Sequence, residues 1–252
     1  MMLDTIVARK REEVVELRSR MMMRRPAEVD PPRGFTRSLV ESPGVAIIAE
    51  VKKASPFQGV IEPAFDPVVI AEQYKANGAH AMSVLTDVDF FQGALAYIPL
   101  VRKVVDLPVL RKDFIIDPLQ IQEANMVGAD AIVLIAAILE TEQMKEYRLM
   151  AESMGMDVLV EVHDEHQLES ALEAESSLIG INNRNPNDFS VSLDTTFRLL
   201  KEIPDTIPVV SESGIATVED IQHLKEHNIT AALIGESLMR SGTQGELLKE
   251  FA

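Results

Sequence analysis

The feature that most limits the possible folds is a regular alternation of short apolar runs and longer amphipathic segments, which begins at residue 46. The apolar runs are nearly continuous, as in parallel strands that are buried on both faces. They predict strands at 46–51, 81–85, 109–112, 131–135, 157–161, 178–182, 208–212 and 231–234. The segments between them predict helices at 67–76, 97–104, 118–126, 142–153, 165–174, 194–201, 218–227 and 243–251. This pattern predicts an α/β fold, the (β/α)8 TIM barrel.

The segment before the first strand has a different character. Residues 3–23 predict a helix, 35–39 predict a shorter one, and the prolines between them indicate a connector. The chain length of 252 residues suits a single α/β barrel domain. We therefore expect one domain over 1–252, with a helical extension at 1–45 that packs outside the barrel or covers one end, and the barrel itself at 46–252.

A doubly wound open sheet is the alternative arrangement of parallel strands and helices. Such a sheet usually has fewer strands, and a glycine-rich phosphate-binding turn follows its first strand. Here that turn runs from Lys53 to Phe57 without glycine, and Gly59 comes only later. Glycines at 78 and 128 precede predicted strands and indicate helix ends.

Charged and polar side chains follow the apolar runs. Glu50 and Lys52 are two residues apart, so on a strand they point to the same face. The carboxyl ends of barrel strands converge on one face, where active sites lie. We expect one cavity lined by Glu50, Lys52, Lys112, Glu161, Asn182, Arg184, Glu212 and Ser213. A structural ion pair is an alternative for any one of them, but so many costly buried charges favour a functional site.

The composition limits the classes of partner. The net charge is −16, which argues against nucleic acid because phosphate backbones attract basic surfaces. An anionic substrate would need a local basic pocket, although the acidity can also serve only solubility. The chain has no cysteine, no apolar signal-peptide core and no apolar run near the length that spans a bilayer. We expect a cytoplasmic protein that does not bind membranes.

Glycines after the last two predicted strands indicate a phosphate site. Gly214 follows Ser213, and Gly235 precedes Glu236. Barrels often bind phosphate at these two strand ends, where glycine lets backbone N–H groups approach the anion closely. Two ordinary turns are the alternative.

Several segments, taken in chain order, resemble the indole-3-glycerol phosphate synthase family. They are EVKKASP at 50–56, LRKDFI at 110–115, GINNRN at 180–185, SESGI at 211–215 and IGESLM at 234–239. The resemblance covers nearly the whole chain, extension included. It implies a (β/α)8 barrel that converts 1-(2-carboxyphenylamino)-1-deoxyribulose 5-phosphate to indole-3-glycerol phosphate, CO2 and water in tryptophan biosynthesis. It implies no metal and no organic cofactor.

The resemblance also implies roles for the catalytic set. Lys112 would be the general acid that protonates or polarises the ribulose carbonyl, with Lys52 close by, and Glu161 would be a second proton carrier. Glu50 and Glu212 would hold the lysines and the substrate hydroxyls. Which lysine acts at which step stays open.

The remaining roles implied by the resemblance concern binding. Asn182 would bond a hydroxyl or the catalytic glutamate, Arg184 would face the substrate carboxylate, and Phe114 would belong to a slot for the aromatic ring. The substrate-binding set is Ser55, Phe114, Arg184, Ser213, Gly214, Gly235 and Glu236. The partner is a small phosphorylated molecule, and association with other tryptophan-pathway enzymes stays open.

Three loops depart from the family pattern. Phe57 and Gln58 stand where Ser and Lys are usual, Pro186 replaces a leucine, and Gln92 replaces a common glycine. These positions flank the expected cavity, so they bear on loop motion, turnover rate and affinity more than on the type of reaction.

Three other functions compete with this interpretation. An aldolase would use Lys112 as a Schiff base, which requires a strongly lowered lysine pKa. An isomerase of the same pathway would need neither the extension nor the pair of Lys52 and Lys112. A non-catalytic binding barrel would not need Glu50, Lys52, Lys112 and Glu161 together.

Overall fold

A computed structural model describes residues 2–21, 29–186, 188–240 and 245–251. In this part of the chain, parallel strands form a closed barrel in which each strand pairs with its neighbours in sequence and the first pairs with the last. The barrel strands are β1 (Ala46–Val51), β2 (Ala81–Leu85), β3 (Val109–Lys112), β4 (Ala131–Ile135), β5 (Asp157–Val162), β6 (Ile179–Asn182), β7 (Val209–Glu212) and β8 (Ala231–Ile234). The predicted (β/α)8 barrel is confirmed.

Helices precede the first strand, alternate with the strands and follow the last one. They are α1 (Met2–Met21), α2 (Phe35–Val40), α3 (Pro67–Ala76), α4 (Tyr97–Val104), α5 (Pro118–Met126), α6 (Thr141–Ser153), α7 (Glu165–Glu173), α8 (Asp194–Leu199), α9 (Val218–Glu226), α10 (Glu236–Arg240) and α11 (Leu248–Phe251). Asp66 and Asp117 cap α3 and α5 through their side chains, each before a proline in the first turn. None of the helices within the described ranges is long and apolar enough to cross a bilayer.

The structure corrects several predicted helix bounds. The helix predicted at 243–251 is limited to α11, because Gly245 adopts a φ of +87° in the turn before it, and Thr243 lies outside the described residues. The first helix begins at Met2, one residue before its predicted start, and the predicted helical residues 22 and 23 lie outside the described residues. The helix predicted at 194–201 ends at Leu199 and continues as a 3-10 turn over Leu200–Glu202.

Elements too short to show a period were not predicted. A hairpin joins Ala54–Ser55 to Gly59–Val60, a 3-10 turn covers Ala136–Ile138, and α10 follows β8 directly. The expected helix ends at the two glycines are confirmed: φ is +101° at Gly78 and +83° at Gly128.

The core has two layers because successive strand residues point to opposite faces. Ile48, Leu110 and Leu159 lie in the cluster inside the barrel. Ile47 and Ala49 lie in the cluster between the strands and the surrounding helices. The strands are therefore buried on both faces, which is why they are apolar at nearly every position.

Helix α2 closes the barrel at the amino ends of the strands. Phe35 and Leu39 are buried in the interior cluster, next to Ala46 at the start of β1. The backbone N–H of Thr36 donates to Asp157 Oδ2 at 2.8 Å, and Asp157 is the first residue of β5. Helix α2 therefore covers this end of the barrel, which is one of the two placements that the sequence left open.

Helix α1 is tied to the opposite end by a buried cation. The Lys10 Nζ lies 2.9 Å from Asp87 Oδ2, 2.9 Å from Asp113 Oδ1 and 2.8 Å from Glu13 Oε2, and its side chain is 2% exposed. Burial alone would lower the pKa of Lys10, but the two aspartates outweigh it and raise that pKa. Because Asp87 and Asp113 follow β2 and β3 closely, Lys10 fastens the extension beside the mouth of the barrel.

We predict that replacing Lys10 destabilises the fold strongly. Lys10→Met leaves Asp87 buried without its cation and Asp113 with Arg111 alone, and removing one partner of a buried ion pair costs about 3–5 kcal/mol. Urea unfolding measures the loss. Arg9→Met is the matched control, since Arg9 pairs with Glu12 and Asp89 at the surface, where ion pairs matter little. Equal, small losses in both variants would contradict the prediction.

Candidate active site

The barrel mouth holds a cavity of about 220 Å³ at the carboxyl ends of the strands. Every site residue predicted from the sequence lines it. These residues are Glu50, Lys52, Ser55, Lys112, Phe114, Glu161, Asn182, Arg184, Glu212, Ser213, Gly214, Gly235 and Glu236. The prediction that strand ends gather these side chains around one cavity is therefore confirmed, although their roles are a separate question.

Lys112 occupies the centre of the charged group. Its Nζ donates to Glu161 Oε2 at 2.5 Å and to Glu212 Oε2 at 2.6 Å. Burial alone would lower the pKa of Lys112, but the carboxylates of Glu161, Glu212 and Glu50 outweigh it and raise that pKa well above its usual value. Lys112 is therefore a charged ammonium at neutral pH.

The pKa values of the two carboxylates beside Lys112 are shifted in opposite directions. Burial alone would raise the pKa of Glu161, but the charges of Lys112 and His163 lower it below its usual value. The pKa of Glu212 is raised to about 7. Burial is the largest cause, the negative charge of Glu161 raises the pKa further, and the positive charge of Lys112 offsets these effects only in part. Two chemically identical groups therefore differ in proton affinity, as in sites where one acts as acid and the other as base.

Glu161 has partners on both oxygens. Asn182 Nδ2 donates to Glu161 Oε1 at 3.0 Å, and Asn182 Oδ1 accepts from the backbone N–H of Arg184 at 3.0 Å. His163 Nε2 lies 3.4 Å from the same Oε1. The sequence analysis did not single out His163, because it lies two residues beyond Glu161 and looked like part of the following loop.

Glu50 and Lys52 form an ion pair, as their spacing predicted. Small residues leave room for the buried carboxylates. A Cβ on Gly235 would lie 2.2 Å from Glu50 Oε1, and a Cβ on Gly180 would lie 2.2 Å from Glu212 Oε1. Glu212 Oε1 is buried beside Gly180 and accepts no hydrogen bond from the described residues.

The loops after β7 and β8 are held together beside the cavity. Ser213 and Gly214 both have positive φ, at +69° and +81°, so the backbone turns sharply there. Asn183 Nδ2 donates to the Ser213 carbonyl at 3.0 Å, and Ser237 Oγ donates to the Ile215 carbonyl at 2.8 Å. These bonds fix a tight pair of turns at the place where barrels often bind phosphate.

One wall of the cavity is apolar and includes residues that the sequence analysis missed. Phe91 and Phe114 are neighbours, with ring centroids 6.0 Å apart. Leu3 and Ile6 of α1 line the same cavity. The apolar face of α1 was visible in the sequence, but nothing there showed that the helix docks against the barrel mouth.

The loops that depart from the family pattern lie at this mouth. Phe57 contacts Phe189 with ring centroids 3.8 Å apart, which joins the loops after β1 and β6, and Pro186 and Gln58 line the cavity. Gln92 has a φ of +50°, a region that favours glycine.

Comparisons with known proteins agree with this geometry. Residues 3–251 match the family model described as indole-3-glycerol phosphate synthase. An indole-3-glycerol phosphate synthase of Desulfotalea psychrophila is 55% identical over 255 residues, which cover 98% of this chain and 97% of that protein.

Two solved structures share the fold of this chain at low sequence identity. The crystal structure of KGPDC from Streptococcus mutans superposes with a TM-score of 0.64 at 13% identity, over 82% of this chain and 95% of that one. The N-acetylmannosamine-6-phosphate 2-epimerase from Clostridium perfringens gives 0.62 at 17% identity, over 78% and 89%.

A closed (β/α)8 barrel with a lysine held between buried glutamates at its mouth defines a barrel enzyme. The match to the family model and the 55% identity to the Desulfotalea psychrophila protein show which family of barrel enzymes this is. The chain belongs to the indole-3-glycerol phosphate synthase family, the carboxy-lyases that form indole-3-glycerol phosphate in tryptophan biosynthesis.

We predict that one methyl group at Gly235 disturbs the charged centre. In Gly235→Ala the new Cβ meets Glu50 Oε1, so the carboxylate must leave the position in which it pairs with Lys52. A displacement of about 1 Å in an active site can cost about 10²-fold in rate, and we expect a loss of kcat/KM on that scale. Gly44→Ala is the control, because its Cβ would meet nothing within 4 Å. Unchanged kcat/KM in folded Gly235→Ala would refute the prediction.

Proposed function

We propose that this cavity closes the indole ring of 1-(2-carboxyphenylamino)-1-deoxyribulose 5-phosphate with Lys112 as the general acid. The observation that supports this role best is the Lys112 ammonium, which is bonded to both Glu161 and Glu212 inside the cavity. The carboxylates keep the lysine protonated and fix its direction. It can then donate a proton to the ribulose carbonyl oxygen while the ring carbon attacks the carbonyl carbon.

Glu161 is the second proton carrier in this proposal. After CO2 leaves, the former carbonyl oxygen departs as water and needs another proton. Glu161 shares the Lys112 ammonium and is oriented by Asn182, so it can exchange protons with both the lysine and the substrate. Glu50 and Lys52 form the adjacent pair that binds substrate hydroxyls, and Glu212 holds Lys112 in place.

The substrate's ends bind to different walls. The phosphate lies on backbone N–H groups near Gly214, Gly235 and Glu236, with Ser213, Ser55 and Lys52 close by. Charge matters here because the chain as a whole is acidic, so local cations must attract the anion.

The other two substrate groups have their own contacts. The aromatic ring lies against Phe114 and its neighbour Phe91. Arg184 faces the ring carboxylate from the loop after β6, and its Nη2 lies 3.3 Å from Glu236 Oε2. The arginine is thus held in place before substrate arrives, which lowers the entropy cost of binding.

The wider setting is part of the proposal. Residues 1–252 act as one domain, with the extension at 1–45 completing the mouth of the barrel at 46–252. The enzyme works in the cytoplasm on a small phosphorylated molecule, without nucleic acid or membrane as a partner. The acidic surface and the biosynthetic family support this setting.

The aldolase alternative conflicts with the electrostatics of the site. A Schiff base requires a neutral amine, which an enzyme obtains by lowering the lysine pKa. Here the neighbouring carboxylates raise the pKa of Lys112, so they favour a proton donor over a nucleophile.

We predict that Lys112→Ala removes most turnover while the protein stays folded. Losing a positioned general acid typically costs about 10²–10⁴ in rate, and Glu161→Gln should lose kcat on the same scale. Formation of indole fluorescence from the synthetic substrate measures kcat. Lys103→Ala on the exposed side of α4 is the control for lost positive charge. Near-normal kcat in folded Lys112→Ala would remove Lys112 from the role of acid.

We predict that the loop departures act on binding and release. Gln58→Lys restores a basic residue beside the cavity and should lower KM, with an effect that weakens as salt rises. Gln58→Met is the matched control, because it changes the side chain without adding charge. Single-turnover kinetics separate the chemical step from release. A large change in the single-turnover rate at saturating substrate, with KM unchanged, would show that this loop acts on the chemistry.

A further inference from the structure

The proposed reaction requires a proton from solvent in every turnover. A carbon–carbon bond forms at the carbonyl, and the electron pair of the broken bond to CO2 restores the aromatic ring. The former carbonyl oxygen takes two protons and leaves as water, while one proton is lost from the adjacent methylene as the ring double bond forms. Two protons are consumed and one is returned, so one must come from outside the substrate.

The hydrogen bonds around His163 assign the proton on its ring. Gln167 Nε2 donates to Asp164 Oδ2 at 3.0 Å, which fixes the orientation of the Gln167 amide. Gln167 Oε1 then accepts from the His163 backbone N–H at 3.0 Å and lies 3.0 Å from His163 Nδ1. An amide oxygen can only accept, so Nδ1 carries a hydrogen.

This assignment leaves Nε2 as the ring atom that can gain or lose a proton. Nε2 lies 3.4 Å from Glu161 Oε1. If both groups were deprotonated, a nitrogen lone pair would face a carboxylate oxygen, which is repulsive. A proton on either group turns this contact into an attraction.

His163 also lines a second cavity. A polar cavity of about 300 Å³ is lined by His163 and Asn182 together with Gln167, Ser192 and Thr195. His163 and Asn182 line the substrate cavity as well. The imidazole therefore stands where the two cavities meet, next to the carboxylate that exchanges protons with substrate.

We propose that His163 is a positioning residue that holds a proton against Glu161 and passes to it the proton that each turnover takes up from solvent. The proposal rests on the proton-carrier role proposed for Glu161. It explains why Gln167 holds the histidine ring on one side while the other ring nitrogen faces the Glu161 carboxylate.

Other charges near the pair bear on its titration. Lys112 reaches the other oxygen of Glu161, and Glu212 shares that lysine. Arg184 lines the substrate cavity, Asp164 acts on His163 through Gln167, and Arg198 of α8 lines the second cavity. Replacing only His163 leaves all of these groups in place.

The test compares His163→Asn with His166→Asn, a control on the exposed first turn of α7. Single-turnover rates are measured from about pH 5.5 to 9, the range in which histidine titrates. We expect His163→Asn to lose at least about tenfold at alkaline pH and less at acid pH, with KM nearly unchanged. Raising the concentration of imidazole buffer at constant pH and ionic strength should increase the variant's rate and leave the wild-type rate unchanged.

A purely structural role gives a different result. It would lower the rate by the same factor at every pH, without any response to buffer, and that outcome would overturn the proposal. His163→Gln, a second variant, serves if the asparagine variant does not fold. Glu161→Gln separates the role proposed for Glu161 from the role proposed for His163. If Glu161→Gln is inactive while folded His163→Asn behaves like wild type, only the role of His163 is wrong. If Glu161→Gln turns over normally, the role of Glu161 itself is wrong.

Discussion

The arrangement of the barrel mouth depends on the Lys112 ammonium of β3, which bonds one carboxylate from β5 and one from β7. The charges around it do not cancel. Three buried glutamates at 50, 161 and 212 face two lysines at 52 and 112. Burial, together with this surplus of negative charge, raises the pKa of Glu212 to about 7. The site can therefore hold an extra proton near neutrality, which suits a reaction that consumes one.

The residues on either side of Lys112 explain how the extension supports the site. Arg111 points away from the cavity, because neighbours on a strand face opposite sides, and Asp113 follows the strand directly. Arg111 Nη2 bonds Asp113 Oδ2 at 3.1 Å and Glu123 Oε2 at 3.2 Å, and Lys10 of α1 bonds Asp113. The backbone that carries Lys112 is thus fixed on its outer side by buried ion pairs, one of which comes from the extension.

Much of the fold could be predicted from the sequence, because strands buried on both faces are apolar at nearly every position. The bounds of β1, β2, β3, β4 and β8 match their predicted bounds, and α3, α4 and α5 do as well. The membership of the site was also predictable, since strand ends converge in a closed barrel. The hydrogen-bond partners within the site could not be predicted. Which carboxylate bonds Lys112 depends on how far around the barrel each strand lies.

Other parts of the site leave little trace in the sequence. Lys10 looks like any charged residue of an amphipathic helix, and only docking reveals that it is 2% exposed. His163 could not be recognised as part of the site from the sequence, because its relevance rests on a 3.4 Å contact with Glu161 in the folded chain. The limited length of α11 depends on a positive φ at Gly245, which a glycine permits but does not require.

Closure of the barrel has a consequence for how the chain reaches its native state. Residues Ala46 and Ala231 are paired, so the first strand finds one of its two neighbours only when the last strand is available. Until then β1 presents an open edge, and contacts so distant in sequence form slowly because a long loop must close first. A chain emerging from the ribosome would keep this edge unpaired through most of its synthesis.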